Sequence, residues 1–515
     1  MTMIPSRRTL LLAASSVALM TPLRLLAQPR FQKNPFTLGV ASGYPQPDGI
    51  VLWTRLAPDP LDGGGMPDVA VAVRWEIAAD DGFRKIIRSG SAMATPQYGH
   101  SVHAEINGLE PAREYWYRFH AGSATSAVGR IRTAPPADAI PASLRFTLAS
   151  CQNYEHGLFT AYRHMAAEFP NLVVHVGDYI YESATKNRPV RQHHMAEPFD
   201  LVGYRNRYGI YKSDRDLQAA HAACPWLVTW DDHEVANDYA NDRSQHLDPV
   251  DEFLKRRAAA YQAFYEHMPL PRWARPKGPV MQLYSRATYG QLAQFHILDG
   301  RQYRSYQVCP PPGRGGINWV TRQNCPALDD PARTYLGQEQ ESWFRQAMQS
   351  TRSRWNLITQ PTLMASSARQ GATGVEYRTD GWDGYPAARA RLLKDLTDHK
   401  PANPVVLGGD VHMAIVADLN ANTENRNAPA IASEFVCASI SSRGPSRKRT
   451  EQIKQDHPHI HFADGTMHGY TSFELSAQQL TARLRVVANV NAANAPIRDA
   501  ATYVVANGRA GPQKA

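Results

Sequence analysis

The chain has 515 residues, 43% hydrophobic and 20% charged, which is enough to bury a large core and too much for one small domain. Lys and Arg exceed Asp and Glu by 56 to 47, a formal charge of +9 spread along the chain apart from a short cluster at Arg443–Arg449. No basic tract is interleaved with aromatics, so nucleic acid is not expected as a structural partner, and the charge reads as modest attraction for anionic substrates.

At the N-terminus, Ser6-Arg7-Arg8-Thr9-Leu10-Leu11-Leu12 leads into a mildly apolar run, Ala13–Met20. The run is too short and interrupted to span a membrane. An arginine pair before such a run reads as a twin-arginine export signal over residues 1–27, with cleavage near Ala27. The expected location is therefore the periplasm or the outside of the cell, reached through the twin-arginine translocation machinery, with no stable membrane span. From Phe36 to Ala134, short alternating runs at Ile50–Arg55, Val71–Ile77, Val102–Ile106, Tyr115–His120 and Gly129–Thr133 predict a small β-sandwich domain, 36–134. Ile106–Pro111 followed by Tyr115–Phe119 resembles the later strands of a fibronectin type III domain. The texture then changes to α/β. Strands are predicted at Leu144–Ser150, Leu172–Val176, Pro225–Trp230, Gln294–Leu298, Trp355–Thr359 and Pro404–Leu407. Helices are predicted at Gly157–Phe169, Asp251–His267, Glu339–Gln349 and Trp382–His399. Arg443–Lys454 reads as a charged, solvated loop and Thr471–Val487 as a terminal hairpin. The expected architecture is a layered α/β domain over 144–490, with a tail at 491–515.

Of five cysteines, Cys309 and Cys325 bracket a Pro/Gly-rich loop and are the best disulfide candidates. Cys224 and Cys437 sit in apolar surroundings and read as buried. Cys151 ends a predicted strand and is the candidate functional thiol.

Five strand ends carry chemistry: Cys151; Asp178 with Tyr181; Asp231-Asp232-His233-Glu234; Asp299; and Asp410 with His412. Taken singly, an Asp after Gly is often a turn or a helix cap. Together they bring a thiol, a phenol, carboxylates and imidazoles to one edge of a sheet. Hard oxygens suit Ca²⁺, Mg²⁺ or Fe³⁺, and Cys and His add affinity for a transition metal. A mixed set suggests two ions, with Asp178 placed to bridge them and to serve phosphoryl chemistry.

Gly177-Asp178, Asp231–Glu234 and Gly408–His412 resemble the metallophosphoesterase superfamily, and Ser150–Gln152, Gly177–Glu182, Trp230–Asp238, Asp299–Arg304 and Gly409-Asp410-Val411-His412, in this order, resemble its PhoD-type alkaline phosphatases. The N-terminal Leu38–Gly43 and Leu52–Leu56 resemble that family's β-module. The resemblance implies a metallophosphoesterase-like layered α/β sandwich. It implies hydrolysis of phosphoric monoesters by a metal-bound hydroxide or oxide, with Fe³⁺ and Ca²⁺ as cofactors. Carried over position by position, Cys151, Asp178, Tyr181 and His412 match Fe³⁺ ligands. Asp178, Asp232, Asn237 and Asp410 match the Ca²⁺ side. His233 would stand near the phosphate as a proton donor, or else orient a ligand. Arg301 could bind phosphate bidentately, with ion pairing to Asp299 as the alternative for it and for Arg304. His156, His193 and His194 read as solvated loop histidines, and Tyr179 and Glu182 as packing or supporting residues. Two rival readings stand. One is a phosphodiesterase acting on nucleic acid, phospholipid or teichoic-acid-like polymers. The other is a Ca²⁺-stabilised cell-surface binding protein with a dead site.

Overall fold

The computed structural model describes residues 31–421 and 428–515, so the twin-arginine segment and its cleavage point lie outside the described residues. Leu172–Val176 is buried at every position, as expected of a strand covered on both faces. It pairs in parallel with Ser143–Ala149 on one side and Trp226–Thr229 on the other. A second sheet is built on a parallel set, Ala293–Ile297, Trp355–Thr359, Pro404–Gly408 and Ala430–Val436. The two sheets pack face to face. Phe146 of the first meets Phe295 of the second edge-on, with ring centroids 5.3 Å apart, and Phe435 meets Phe473 at 5.4 Å. Helices Thr160–Ala167 and Arg215–Ala223 pack beside the first sheet, and Gln338–Ser350 and Pro386–His399 against the outer face of the second. The result is a four-layer helix–sheet–sheet–helix stack. The C-terminal ends of its parallel strands gather along one edge, where open α/β sheets place ligands.

The N-terminal region is all β, as expected. Gly49–Arg55 pairs with Val40–Gly43 and with Ser101–Asn107. This antiparallel set packs on the sheet of Val71–Ala78, Ile86–Ala94 and Glu114–Ala121 through Leu52, Ile106, Val73, Ile77, Tyr117 and Phe119. Its inner sheet does not stop at residue 134: Gly43 pairs in parallel with Trp226, so ten strands form one sheet.

Two expectations change. Residues 491–515 are not a tail. Instead Ile497–Ala506 pairs antiparallel with Gln479–Val487, burying Tyr503 and Val505, and Gln513–Lys514 pairs beyond it. Arg443–Lys454 is not simply a loop, since Arg447–Asp456 is a helix. Its charge hides a short apolar stripe: Thr450 and Ile453 are buried, three residues apart on one face, and the Ser446 hydroxyl accepts from the Arg449 amide at the first turn. Cys309 and Cys325 form a disulfide, while Cys151, Cys224 and Cys437 are free and buried.

Candidate metal centre

The turns that end the parallel strands are backbone-strained. Cys151, Asp178, Asp410 and His412 have φ of 56°, 55°, 63° and 52°, in the left-handed region that non-glycine residues avoid. Such residues cost of order 1–3 kcal/mol each and persist where the surroundings over-determine them. Gly177, at φ 106°, lets two strand ends close on each other, since a Cβ there would lie 2.5 Å from the Asp231 amide nitrogen.

Cys151, Asp178 and His412 bring one donor atom each to within 4.8 Å of one another. The Tyr181 hydroxyl lies 2.8 Å from Asp178 Oδ2 and 2.9 Å from His412 Nε2. The Arg443 carbonyl accepts from His412 Nδ1 at 3.0 Å, which leaves Nε2 free to face the cluster. Asp178, Asp232 and His233 form a second such group. They line a cavity of about 380 Å³ together with Asn237, Asp238, Asp410 and Arg378. Asp178 belongs to both groups, and its Oδ1 is buried with no hydrogen-bond partner. A buried carboxylate oxygen with no donor is costly, and a cation removes that cost. Burial, and then Asp178, push the Cys151 thiol well above its usual range. The donors therefore divide into a thiol–phenol–imidazole side suited to a transition metal and an oxygen-rich side suited to a hard cation.

His233 donates from Nδ1 to Glu182 at 2.7 Å and its ring lies 4.1 Å from that of Tyr181. Burial works against its charge, but Glu182, Asp232 and Asp178 together raise its pKa well above the usual value. Glu182 also accepts from the Asn237 amide at 2.8 Å, so it orients two site residues at once. Asn237 itself donates to Gln245 at 3.0 Å.

Arg301 stands behind the donors. It is fully buried, donates to Asp231 at 2.6 Å and grips Asp380 through two bonds of 3.0 Å. Arg304 donates to the same Asp380 at 3.0 Å. Asp299, the partner expected from sequence, instead accepts from Trp230 Nε1 and from the Arg301 and Gln302 amides. Neither arginine lines the cavity; Arg378 and Arg449 do. His193 is buried and bonded to Tyr211 and Arg207 rather than solvated. His156 is half-buried against Thr185 at 3.2 Å, its pKa lowered to about 4 by burial and then Arg443.

Three contributors had no visible signal in the sequence. Ser442 donates to the Tyr181 oxygen at 2.8 Å and accepts from the Asn153 amide. Thr362 donates to Asp410, and Arg378 reaches the same carboxylate at 3.3 Å. All lie on loops or short strands without periodicity.

Residues 146–484 match the family model for PhoD-like phosphatase, and residues 21–135 match the one for its N-terminal domain. The chain belongs to the PhoD-like phosphatase family. It is 46% identical over 499 residues to alkaline phosphatase D of Bacillus subtilis (strain 168), covering 95% of this chain and 84% of that relative. A solved structure of PhoD superposes with a TM-score of 0.89 at 45% identity, covering 94% of this chain and 93% of that one. As a PhoD-like phosphatase the chain is a phosphoric ester hydrolase, and the donor groups described above are its candidate metal centre. Among the described residues no helix is long and apolar enough to cross a membrane.

Proposed function

We propose that the protein is an exported, metal-dependent alkaline phosphatase acting on phosphomonoesters. Cys151, Asp178, Tyr181 and His412 would hold Fe³⁺, and Asp178, Asp232, Asn237 and Asp410 would hold Ca²⁺. One observation carries the reading: Asp178 is shared by two donor groups and keeps a buried, unpartnered oxygen. When bound, the ions supply Lewis acidity and an activated water at neutral to alkaline pH. The chain's own residues do the rest. His233, held by Glu182, donates a hydrogen bond to a phosphoryl oxygen or to the departing alkoxide. Ser442 and the Arg443 carbonyl fix the rotamers of Tyr181 and His412, so the donors need not reorganise as charge develops. Arg301 holds Asp231 and Asp232 in place and favours the charged form of Asp232. Export by the twin-arginine route to the periplasm or beyond completes the reading, and the Cys309–Cys325 disulfide supports it by fitting an oxidising compartment.

The test pairs activity with composition. Purified protein should carry iron and calcium by elemental analysis and lose hydrolysis of p-nitrophenyl phosphate to a chelator. It should show a visible phenolate-to-iron band that Tyr181→Phe abolishes. Absence of iron sinks the metal assignment. A diesterase reading has one observation in its favour, since the cavity continues past the donors to Ile317, Trp319, Met413 and Pro445, which leaves room for a second ester arm. A higher kcat/KM on bis-p-nitrophenyl phosphate would replace the monoester claim with it.

A further inference from the structure

The cavity lined by Asp178 and His412 is also lined by Ile317, Trp319, Met413, Arg449 and Ile453. Trp319 begins a short strand inside the loop closed by the Cys309–Cys325 disulfide and pairs with Arg378 of Gly374–Arg378. Two guanidinium groups lie within cation–π reach of its ring: Arg369 at 3.9 Å and Arg449 at 5.9 Å from the ring centroid.

The arginines of this wall differ in how they are paired. Arg369 is neutralised by Glu376 at 2.8 Å and Arg378 by Asp410 at 3.3 Å. Among the described residues no carboxylate lies within ion-pair distance of Arg449. Burial and then Arg369 work against its charge, and Asp456 is the acid that favours it. A half-buried guanidinium at the edge of cation–π reach of an indole, with no carboxylate within ion-pair distance among the described residues, offers a site for a planar anion. On the phosphatase reading the phosphoryl group would sit at the Asp178 and His412 donors, and the alcohol portion of the ester would contact the remaining lining residues.

Building on the phosphatase reading, we propose that Trp319 and Arg449 form a leaving-group subsite selecting phosphate esters whose alcohol is planar and carries its own negative charge. Trp319 offers the flat apolar contact and Arg449 reads the charge. The basic cluster at Arg443–Arg449, unexplained by sequence, acquires a purpose at its last member.

The experiment compares 4-carboxyphenyl phosphate with its neutral analogue, 4-carbamoylphenyl phosphate, on the metal-loaded full chain. The quantity read is the ratio of their kcat/KM values, so that intrinsic leaving-group reactivity cancels between variants. Arg449→Gln should lower this ratio by about fivefold, the scale of one partly solvated ion pair. Arg449→Glu should lower it further, and added salt should shrink the wild-type ratio toward that of the Gln variant. A ratio unchanged in both variants, with both esters still hydrolysed, overturns the subsite and leaves the phosphatase reading intact. Wild-type protein that turns over neither ester fails the phosphatase reading, and the subsite falls with it.

Discussion

An aspartate that serves two donor groups at once has no conservative replacement. Asparagine keeps the shape of Asp178 but gives up the charge that a bridging position needs, and it places an amide donor where a buried oxygen now stands bare. Asp178→Asn should therefore lose both ions by elemental analysis and bring phosphatase activity to background, while circular dichroism keeps its native shape. Full activity in that variant would end the two-ion account. Arg301 invites the opposite expectation from the one its sequence context suggests. Were it a phosphate ligand, Arg301→Gln would raise KM and leave stability alone. Because it sits among Asp231, Asp232 and Asp380, the substitution strands buried carboxylates. The expected outcome is a loss of about 3–5 kcal/mol in unfolding free energy, read by denaturant titration. A variant as stable as the parent would return Arg301 to the substrate.

Among the elements, the strand pair Ala414–Asn420 and Ile460–Asp464 offers a test of pH dependence away from the donors. His461 lies 3.0 Å from Asp418 across the two strands, and that hydrogen bond raises its pKa above the ordinary value. A raised histidine pKa means the folded state holds its proton more tightly. The contribution is full below an unfolded pKa of about 6.5 and fades as pH rises through the folded value. His461→Gln should therefore be destabilised more at about pH 5.5 than at about pH 8.5, by under about 1 kcal/mol because the pair is partly exposed. Equal losses at both pH values would show that packing, not charge, is what the histidine provides. The disulfide loop is the other element with a measurable role. Its backbone is tied to the site where Asp238 accepts from the Ile317 amide at 3.1 Å. Replacing Cys309 and Cys325 by serine frees a loop of sequence separation 16, worth up to about 3 kcal/mol. KM for aryl phosphates should rise more than kcat falls, and trypsin should cut at Arg314 or Arg322 sooner; unchanged kinetics would mean the loop holds its shape unaided.

Over the whole molecule, what could be read from sequence was what physics writes locally. Leu172–Val176, Trp355–Thr359 and Pro404–Gly408 are short apolar runs stopped by polar residues, and a residue at such a stop is found at the sheet edge. Cys151, Asp178, Asp232, Asp410 and His412 are legible at such stops. The partners of Arg301 were not legible, because which carboxylate meets a buried guanidinium depends on how the sheets approach. Ser442 and Arg378 were missed for the same reason, and Trp319 with them: each reaches the cavity from a segment with no repeat. The strand Ile497–Ala506 carries no clear apolar alternation because only Tyr503 and Val505 of its side chains are buried.

The strand Ser143–Ala149, which leads into Cys151, lies between Leu172–Val176 and His468–Ser476. A ribosome delivers Cys151, Asp178 and Asp232 early, and Asp410, His412 and Ser442 only after the second sheet has been translated. While it is still being made, the chain therefore shows a bare sheet edge and half a binding site. On the proposed two-ion reading, metal selection would then be an event in the life of the finished polypeptide. Under the export route proposed above, it is governed by the ions on the side of the membrane where the chain folds, not those where it works.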